Sequence, residues 1–249
     1  MTVGQNLTPD EWSKVLESDG LAQAVAKNVA EDRTFPWTPT LIELTRDCAS
    51  TLDMGSGRGE LAAVMARVGK RSSLLDWSEK NITFSRDLFK RLGLQGEFKQ
   101  ADMTQHLPYA DGQFDAVYSC GVFEYFTDDE IKSILKEAFR IARKRVIILV
   151  PNAWSLPYRF GKWYLEKTKQ WVWGGERPFT SLKPFFYAAG CAEVKEFSVG
   201  TKHSLDFLTM RGGRAIQKAV VSFFHLKDHP RPSFLNQGYL LIVAGEKKE

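Results

Sequence analysis

The residues of this sequence that are best placed to hold a ligand are one acid and three alternate glycines. Asp53 is followed by Gly55, Gly57 and Gly59, directly after a short apolar stretch. Glycine has no Cβ, so its backbone can turn sharply and approach a bound molecule closely. A helix beginning at Gly59 would add unpaired backbone N–H groups that face the same molecule. The pattern D-x-G-x-G-x-G therefore predicts a ligand-binding turn between a strand and a helix.

Two further acids stand where the next two predicted strands end. Asp76 closes the predicted strand 71–76, about 20 residues beyond the glycine turn, where an acid can accept hydrogen bonds from ribose hydroxyls. Its alternative role is to cap the helix predicted over 78–92, although Ser78 can also provide that cap. Asp102 follows the predicted strand 98–101 and is either a ligand contact or an acid of a surface turn. The ordered series of acids favours a nucleoside-containing ligand.

The glycine turn and the ordered acids resemble the motifs of class I S-adenosylmethionine-dependent methyltransferases. Residues 107–117 likewise resemble that family's L-P-F-x-D-x-x-F-D-x-V segment. The resemblance covers about residues 49–151, and within the family it is similar to the type 11 small-molecule group that includes quinone-biosynthesis enzymes. It implies the cofactor S-adenosyl-L-methionine (SAM), which becomes S-adenosyl-L-homocysteine (SAH) when the methyl group leaves.

The resemblance also implies how this chain would contact the cofactor. The glycine turn would lie against the methionine part, Asp76 would bind the ribose, and Trp77 would offer an aromatic face to adenine. Asp102 would meet the adenine amino group, and the backbone N–H of Met103 would meet a ring nitrogen. The full set of predicted cofactor-binding residues is Asp53, Gly55, Ser56, Gly57, Gly59, Asp76, Trp77, Asp102, Met103 and Cys120.

The alternation of predicted strands and helices up to residue 150 indicates an α/β fold with a doubly wound, Rossmann-like sheet. Closing strands over 193–199 and 239–244, with a helix between residues 177 and 190 before them, would complete the family's seven-stranded, mostly parallel sheet with an antiparallel last strand. We expect one domain over 1–249. Its predicted parts are a helical prefix (1–48), the cofactor-binding core (49–151), an aromatic and basic cap (152–178), and closing elements (179–249) with a long connection at 200–237.

Composition narrows the function classes. The 249 residues carry a formal net charge of +4, too mild for binding to a nucleic acid duplex, and the 3 cysteines suggest neither disulfides nor a zinc site. The histidines have no ligand-like partners in the sequence, so we expect no metal. No apolar run approaches the length of a membrane span. We expect a cytoplasmic monomer or homodimer that acts on a small molecule, without stable membrane insertion, and we leave peripheral membrane contact open.

The acceptor site is predicted in the segment from Trp154 to Trp173, where aromatic residues alternate with Arg159, Lys162 and other cations. Such a surface suits an apolar or aromatic acceptor that carries negative charge. The same stripe could equally be core or a dimer interface, with solvated cations. The sequence Val-Pro-Asn at 150–152 lacks the second proline of the nucleobase amino methyltransferase motif, which argues against DNA as the acceptor.

Three residues are candidates for catalysis by position alone. Glu124 and Tyr125 follow the fourth predicted strand, and His203 follows the sixth. Related enzymes often carry histidine where this chain has Tyr125. Glu124 could instead satisfy nearby backbone donors. Positioning of the acceptor and exclusion of water would supply most of the catalysis, and an acceptor with a proton to lose could also need a base.

Two other function classes fit parts of the sequence. A non-catalytic module that binds SAM or a nucleotide would keep the same turn, although the intact glycines and acids favour an enzyme. An NAD-dependent oxidoreductase is suggested by Tyr158 and Lys162, which have the Tyr-x-x-x-Lys spacing of short-chain dehydrogenases. Glu60, at the position of the third glycine in a dinucleotide fingerprint, disfavours that class.

Overall fold

The computed structural model describes Thr8 and residues 21–210, 212–224 and 237–247. Its centre is a seven-stranded sheet with the order β3-β2-β1-β4-β5-β7-β6. β7 runs antiparallel to both of its neighbours, and the other paired strands are parallel. The predicted doubly wound α/β sheet with an antiparallel last strand is therefore confirmed. The strands are β1 (Ser50–Met54), β2 (Arg71–Asp76), β3 (Glu97–Gln100), β4 (Phe114–Cys120), β5 (Ala142–Pro151), β6 (Glu193–Val199) and β7 (Leu240–Glu246).

Helices connect the strands, and two single turns of 3-10 helix occur at Phe123–Tyr125 and Leu205–Phe207. The described α-helices are α1 (Leu21–Ala30), α2 (Thr38–Leu44), α3 (Glu60–Arg67), α4 (Glu79–Leu92), α5 (Asp128–Ile141), α6 (Leu156–Lys167), α7 (Lys183–Ala188), α8 (Thr201–Ser204) and α9 (Gly213–Phe224). Within the described part of the chain, no helix has the length and apolarity needed to cross a membrane.

The interior strand β5 shows how both faces of the sheet are covered. Val146 and Ile148 belong to an apolar cluster with the buried face of α5, whereas Ile147 and Leu149 belong to a second cluster with α2 and α3. Successive side chains of a strand point to opposite faces, so a strand that is apolar throughout requires a layer on each side. The core is thus two apolar layers separated by the sheet.

Local signals explain where the helices begin. The Ser78 hydroxyl accepts from the Asn81 N–H at 3.4 Å and caps α4. Thr127 and Glu130 form a capping box at the start of α5. These caps fix the helix start that follows β2 and the one that follows the 3-10 turn after β4.

The segment after the aromatic cap departs from the sequence prediction. A helix was expected between residues 177 and 190, but α7 begins only at Lys183, where Pro184 stands in its first turn. Phe179 is instead extended, and its N–H donates to the Pro151 carbonyl at 2.8 Å. Pairing with the end of β5 satisfies this backbone and so competes with helix formation, which places residues 176–179 beside the carboxyl ends of the strands.

Candidate functional site

The glycine turn lies between β1 and α3. The N–H groups of Gly55 and Ser56 both donate to the Leu75 carbonyl, at 2.8 and 3.0 Å, and this anchors the turn to β2. Gly55 has a φ of +77°, and a Cβ there would lie 2.8 Å from both Met103 Cε and Val122 Cγ2. Backbone conformation and space therefore both require glycine at this position.

Asp76 ties the next strand to the same turn. Its carboxylate accepts from the backbone N–H of Gly57 at 2.8 Å, from the Ser78 N–H at 2.9 Å and from the Asn81 side-chain amide at 3.1 Å. Burial raises the pKa of Asp76, and the two backbone hydrogen bonds and the one from Asn81 oppose that rise. Asp76 therefore helps to shape the glycine turn as well as facing the site.

Gly59 has a different place from the other glycines of the motif. A Cβ at Gly59 would lie 2.7 Å from Ser85 Oγ and 2.8 Å from Leu74 Cδ2, which are residues of α4 and β2. Gly59 is absent from the wall of the cavity described below. Its φ of +74° and this close packing account for the glycine and give it a role in positioning α3.

A cavity of about 690 Å³ opens at the carboxyl ends of β1, β2 and β4. Apart from Gly59, every residue predicted for cofactor binding or catalysis lies on its wall. The structure thus brings together Asp53, Gly55, Ser56, Gly57, Asp76, Trp77, Asp102, Met103, Cys120, Glu124, Tyr125 and His203. Sequence reasoning missed Glu176, Phe207 and Tyr239, which line the same cavity.

Trp77 and Asp102 stand at the open edge of this wall. Trp77 is 39 % exposed. Asp102 accepts from the N–H and the hydroxyl of Thr104 at 2.9 and 2.8 Å. Met103 between these polar contacts is buried. This part of the cavity therefore combines the aromatic ring of Trp77, the carboxylate of Asp102 and the apolar side chain of Met103.

Asp53 is enclosed at the other end of the glycine turn. Burial, and then the nearby charge of Asp76, raise the pKa of Asp53 to about 8. Burial and the acids Glu124 and Asp53 likewise hold the pKa of the Cys120 thiol well above its usual range. The deep part of the cavity therefore favours the uncharged forms of both groups, and a cationic ligand group beside Asp53 would favour its carboxylate form.

Glu124 and Glu176 form a buried carboxylate pair on the cavity wall. Burial, and then the charge of Glu176, hold the pKa of Glu124 well above its usual range. Glu176 accepts a hydrogen bond from the Tyr158 hydroxyl. The backbone N–H of Arg177 donates to the Glu124 carbonyl at 3.2 Å, and the Arg177 guanidinium donates to the Phe126 carbonyl at 3.1 Å. These links hold the two acids together although they are distant in sequence.

Aromatic rings line the same cavity as the two acids. The rings of Tyr239 and Phe207 are 4.8 Å apart, and those of Tyr239 and His203 are 5.4 Å apart. Trp37 lies 5.7 Å from His203. His203 Nδ1 is 3.1 Å from Asp206 Oδ2, so this imidazole already has a polar partner. The position of His203 therefore favours a structural role in the cavity wall over a role as a catalytic base.

The cap segment contributes less to the cavity than expected. Of residues 154–173, Trp173 lines the cavity, while Trp154 and Trp163 are each 50 % exposed. Lys162 is paired with Glu166 at 2.7 Å and lies 4.0 Å from the centre of the Trp171 ring. Neither it nor the other cations of the segment line the cavity, so the basic fringe does not face the site.

The Tyr-x-x-x-Lys pair is also engaged elsewhere. Tyr158 is fully buried and donates to Glu176, and Lys162 pairs with Glu166 on the same helix, α6. Neither residue lines the cavity. The spacing that suggested a dehydrogenase is thus explained by packing of α6.

Solved structures share the fold of this chain. A SAM-dependent methyltransferase of Thermotoga maritima, described as a possible histamine N-methyltransferase, matches with a TM-score of 0.61 at 17% identity, covering 96% of this chain and 99% of that one. The magnesium protoporphyrin IX methyltransferase of Synechocystis, solved with bound SAM, matches with a TM-score of 0.54 at 15% identity, covering 96% and 90%. The architecture is that of the class I methyltransferases.

Sequence comparisons match part of the chain to a methyltransferase domain. Residues 51–145 match the methyltransferase domain family. A ubiquinone biosynthesis O-methyltransferase of Caulobacter is 36% identical over 77 residues, 31% of each chain. A sarcosine/dimethylglycine N-methyltransferase of Halorhodospira halochloris is 34% identical over 94 residues, 37% of this chain and 33% of that one. The chain covers about a third of the length of these curated relatives. The part of the chain at residues 51–145 is therefore similar to a methyltransferase domain.

Proposed function

We propose that this protein transfers a methyl group from SAM to a small-molecule acceptor, and that both bind in the one cavity. The observation that carries the proposal is continuity: the cavity runs from the glycine turn and Asp76 to the buried Glu124 and Tyr239. Its volume of about 690 Å³ lies in the upper half of the range of about 300–1,000 Å³ for small-molecule sites. A site of that size can hold a nucleoside cofactor beside a second molecule.

The residues of the turn fit this cofactor. Ser56 Oγ is buried on the cavity wall and has no hydrogen-bond partner among the described residues. A polar ligand group would supply that partner. Asp76 would hold the ribose, and Trp77 with Met103 would enclose adenine. When bound, the cofactor supplies a methyl carbon made electrophilic by a positively charged sulfur.

The charges around the turn favour SAM over a dinucleotide. Asp53, Glu60 and Asp76 line this end of the cavity, and the cation Arg58 lies 3.5 Å from Glu60. A pyrophosphate would bring two negative charges against these acids, whereas SAM brings a sulfonium and an ammonium group. Electrostatics therefore support a methyltransferase and oppose the NAD-dependent alternative.

The chain's contribution to methyl transfer would be positioning and desolvation. Aromatic walls such as Tyr125, Trp173 and Tyr239 can orient an apolar or aromatic acceptor and keep water from the reacting atoms. A negative charge on the acceptor was expected because of the cations in residues 154–173. These cations do not line the cavity, so they give no support to that expectation. We retain the apolar or aromatic character and withdraw the negative charge.

Calorimetry with two ligands tests the proposal. SAH should bind to the purified protein, and NAD should bind far more weakly or not at all. Comparable affinity for NAD would overturn the assignment. Mass spectrometry of a cell extract incubated with the protein and methyl-labelled SAM should then reveal a labelled product, and its absence with SAH binding intact would favour the non-catalytic binding module.

A further inference from the structure

The carboxyl group of Glu124 is a buried polar group of the cavity with an unsatisfied oxygen atom. The residue is 2 % exposed, and its Oε2 atom has no hydrogen-bond partner among the described residues. A buried carboxyl group without a partner is costly, above all in its charged form, since water no longer solvates it. The residue faces the cavity, so a bound molecule is the available source of a partner.

A second carboxylate increases the demand for positive charge at this place. Glu176 is close enough for its charge to act on Glu124, and the hydrogen bond from Tyr158 compensates Glu176 only in part. Arg58 on the cavity wall already has an acidic partner in Glu60. Lys162 acts on Glu176 through its charge, but it does not line the cavity and is paired with Glu166. Among the described residues, two carboxylates thus face the cavity and no cationic side chain is paired with Glu124.

The surroundings of the pair also suit a cation. Tyr125 and Tyr239 both lie within electrostatic range of the two acids, and the ring of Trp173 is on the same wall. Faces of aromatic rings attract ammonium groups, most strongly where water is excluded. An anionic or purely apolar acceptor would leave the carboxylates uncompensated.

We propose that the methyl acceptor is an amine, held as an ammonium ion by Glu124 with Glu176 and enclosed by the neighbouring aromatic rings. This inference rests on the proposed methyl transfer and specifies its substrate class. Glu124 is then the residue that recognises the acceptor, and Glu176 strengthens its charge.

The same carboxylate can prepare the amine for reaction. The ammonium group gives one proton to Glu124 and becomes a neutral amine with a free electron pair. The amine nitrogen then forms a bond to the methyl carbon as the carbon–sulfur bond breaks, and the electrons of that bond stay on sulfur. Positive charge passes from sulfur to the methylated nitrogen, and the proton on Glu124 leaves to solvent. Atoms and charges balance without a further reactant.

Calorimetry with three probes of similar size and different charge tests the inference. The protein, saturated with SAH, is titrated with 2-phenylethylamine, 2-phenylethanol and phenylacetate. We expect the amine to bind at least tenfold more tightly than the alcohol or the carboxylate. Equal binding of all three, binding of none, or preference for the alcohol or for phenylacetate overturns the proposal.

Variants identify the group responsible. Glu124→Gln should remove the preference for the amine while SAH affinity stays within about threefold of wild type, and Glu176→Gln should reduce it less. Asp129→Asn, which removes an exposed charge on α5 paired with Lys132, is the matched control and should retain the preference. Amine preference that survives in a folded Glu124→Gln protein contradicts the inference.

The result also separates this inference from the proposed function. Failure of wild-type protein to bind SAH would remove the methyltransferase proposal itself. Normal SAH binding without amine preference would remove only the assignment of the substrate class.

Discussion

Substituting Asp76 with alanine tests whether the carboxylate after β2 serves the fold, the cofactor or both. Three groups donate to this carboxylate at 2.8–3.1 Å: the Gly57 N–H, the Ser78 N–H and the Asn81 side-chain amide. The first belongs to the glycine turn, and the other two lie at the start of α4. Removing the acceptor leaves all three donors to find other partners in a buried region.

The two expected losses have different sizes and different causes. Unsatisfied buried donors cost about 1–3 kcal/mol of folding stability, and the relieved burial of the Asp76 charge offsets part of this. Charge-assisted hydrogen bonds to the ribose would contribute a further loss of about 1.5–3 kcal/mol in cofactor binding, which raises the Kd of SAH by about 10- to 150-fold.

Urea unfolding and calorimetry with SAH measure the two losses separately. Asp87→Ala is the control: Asp87 is an acid on α4 whose partner is Arg91 at 2.5 Å, and its loss should change stability by less than about 0.5 kcal/mol and leave SAH affinity alone. SAH affinity within twofold of wild type in folded Asp76→Ala protein would refute the ribose role. If stability falls while SAH affinity is unchanged, the role of Asp76 is to hold the glycine turn in place and not to bind the ribose.

Three further changes test the remaining parts of the site. Gly57→Val should abolish SAH binding in calorimetry with far-UV circular dichroism near native, because a β-branched residue does not tolerate the φ of +53° that shapes the turn; normal affinity would contradict this. The pKa of Asp53 is raised to about 8 in the folded protein. The protonated form of Asp53 therefore contributes stability that is fully present below about pH 4 and is lost as the pH rises through about 8. Asp53→Asn should therefore flatten the fall in melting temperature over that range, and parallel curves for wild type and variant would show the reasoning to be wrong. Trp173→Ala should lower methyl transfer in the labelled-SAM assay with SAH affinity nearly unchanged, whereas the half-exposed Trp163→Ala should alter neither; a joint fall of activity, affinity and melting temperature in Trp173→Ala would instead mark that ring as core.

The sequence alone was sufficient for the parts of the molecule that depend on local pattern. Apolar runs and helix caps predicted the succession of strands and helices along the chain, and the spacing from Asp53 to Asp76 predicted that these acids meet at one edge of the sheet. The arrangement of the seven strands in the sheet came from the resemblance to a known family. These features are local because a strand, a cap or a glycine turn is specified by residues a few positions apart. Parallel strands then bring their carboxyl ends together whatever the details of packing.

Tertiary packing decided the character of the acceptor end. Glu176 reaches Glu124 because residues around Phe179 pair with the end of β5 and because Arg177 bridges to the loop before α5. No local sequence pattern predicts that Glu124 and Glu176 lie close together, since the two acids belong to separate segments. The same packing turned the cations of residues 154–173 away from the cavity and placed Gly59 against α4. Charge and shape in a cavity depend on which distant side chains share it, and that is fixed only when the whole chain has folded.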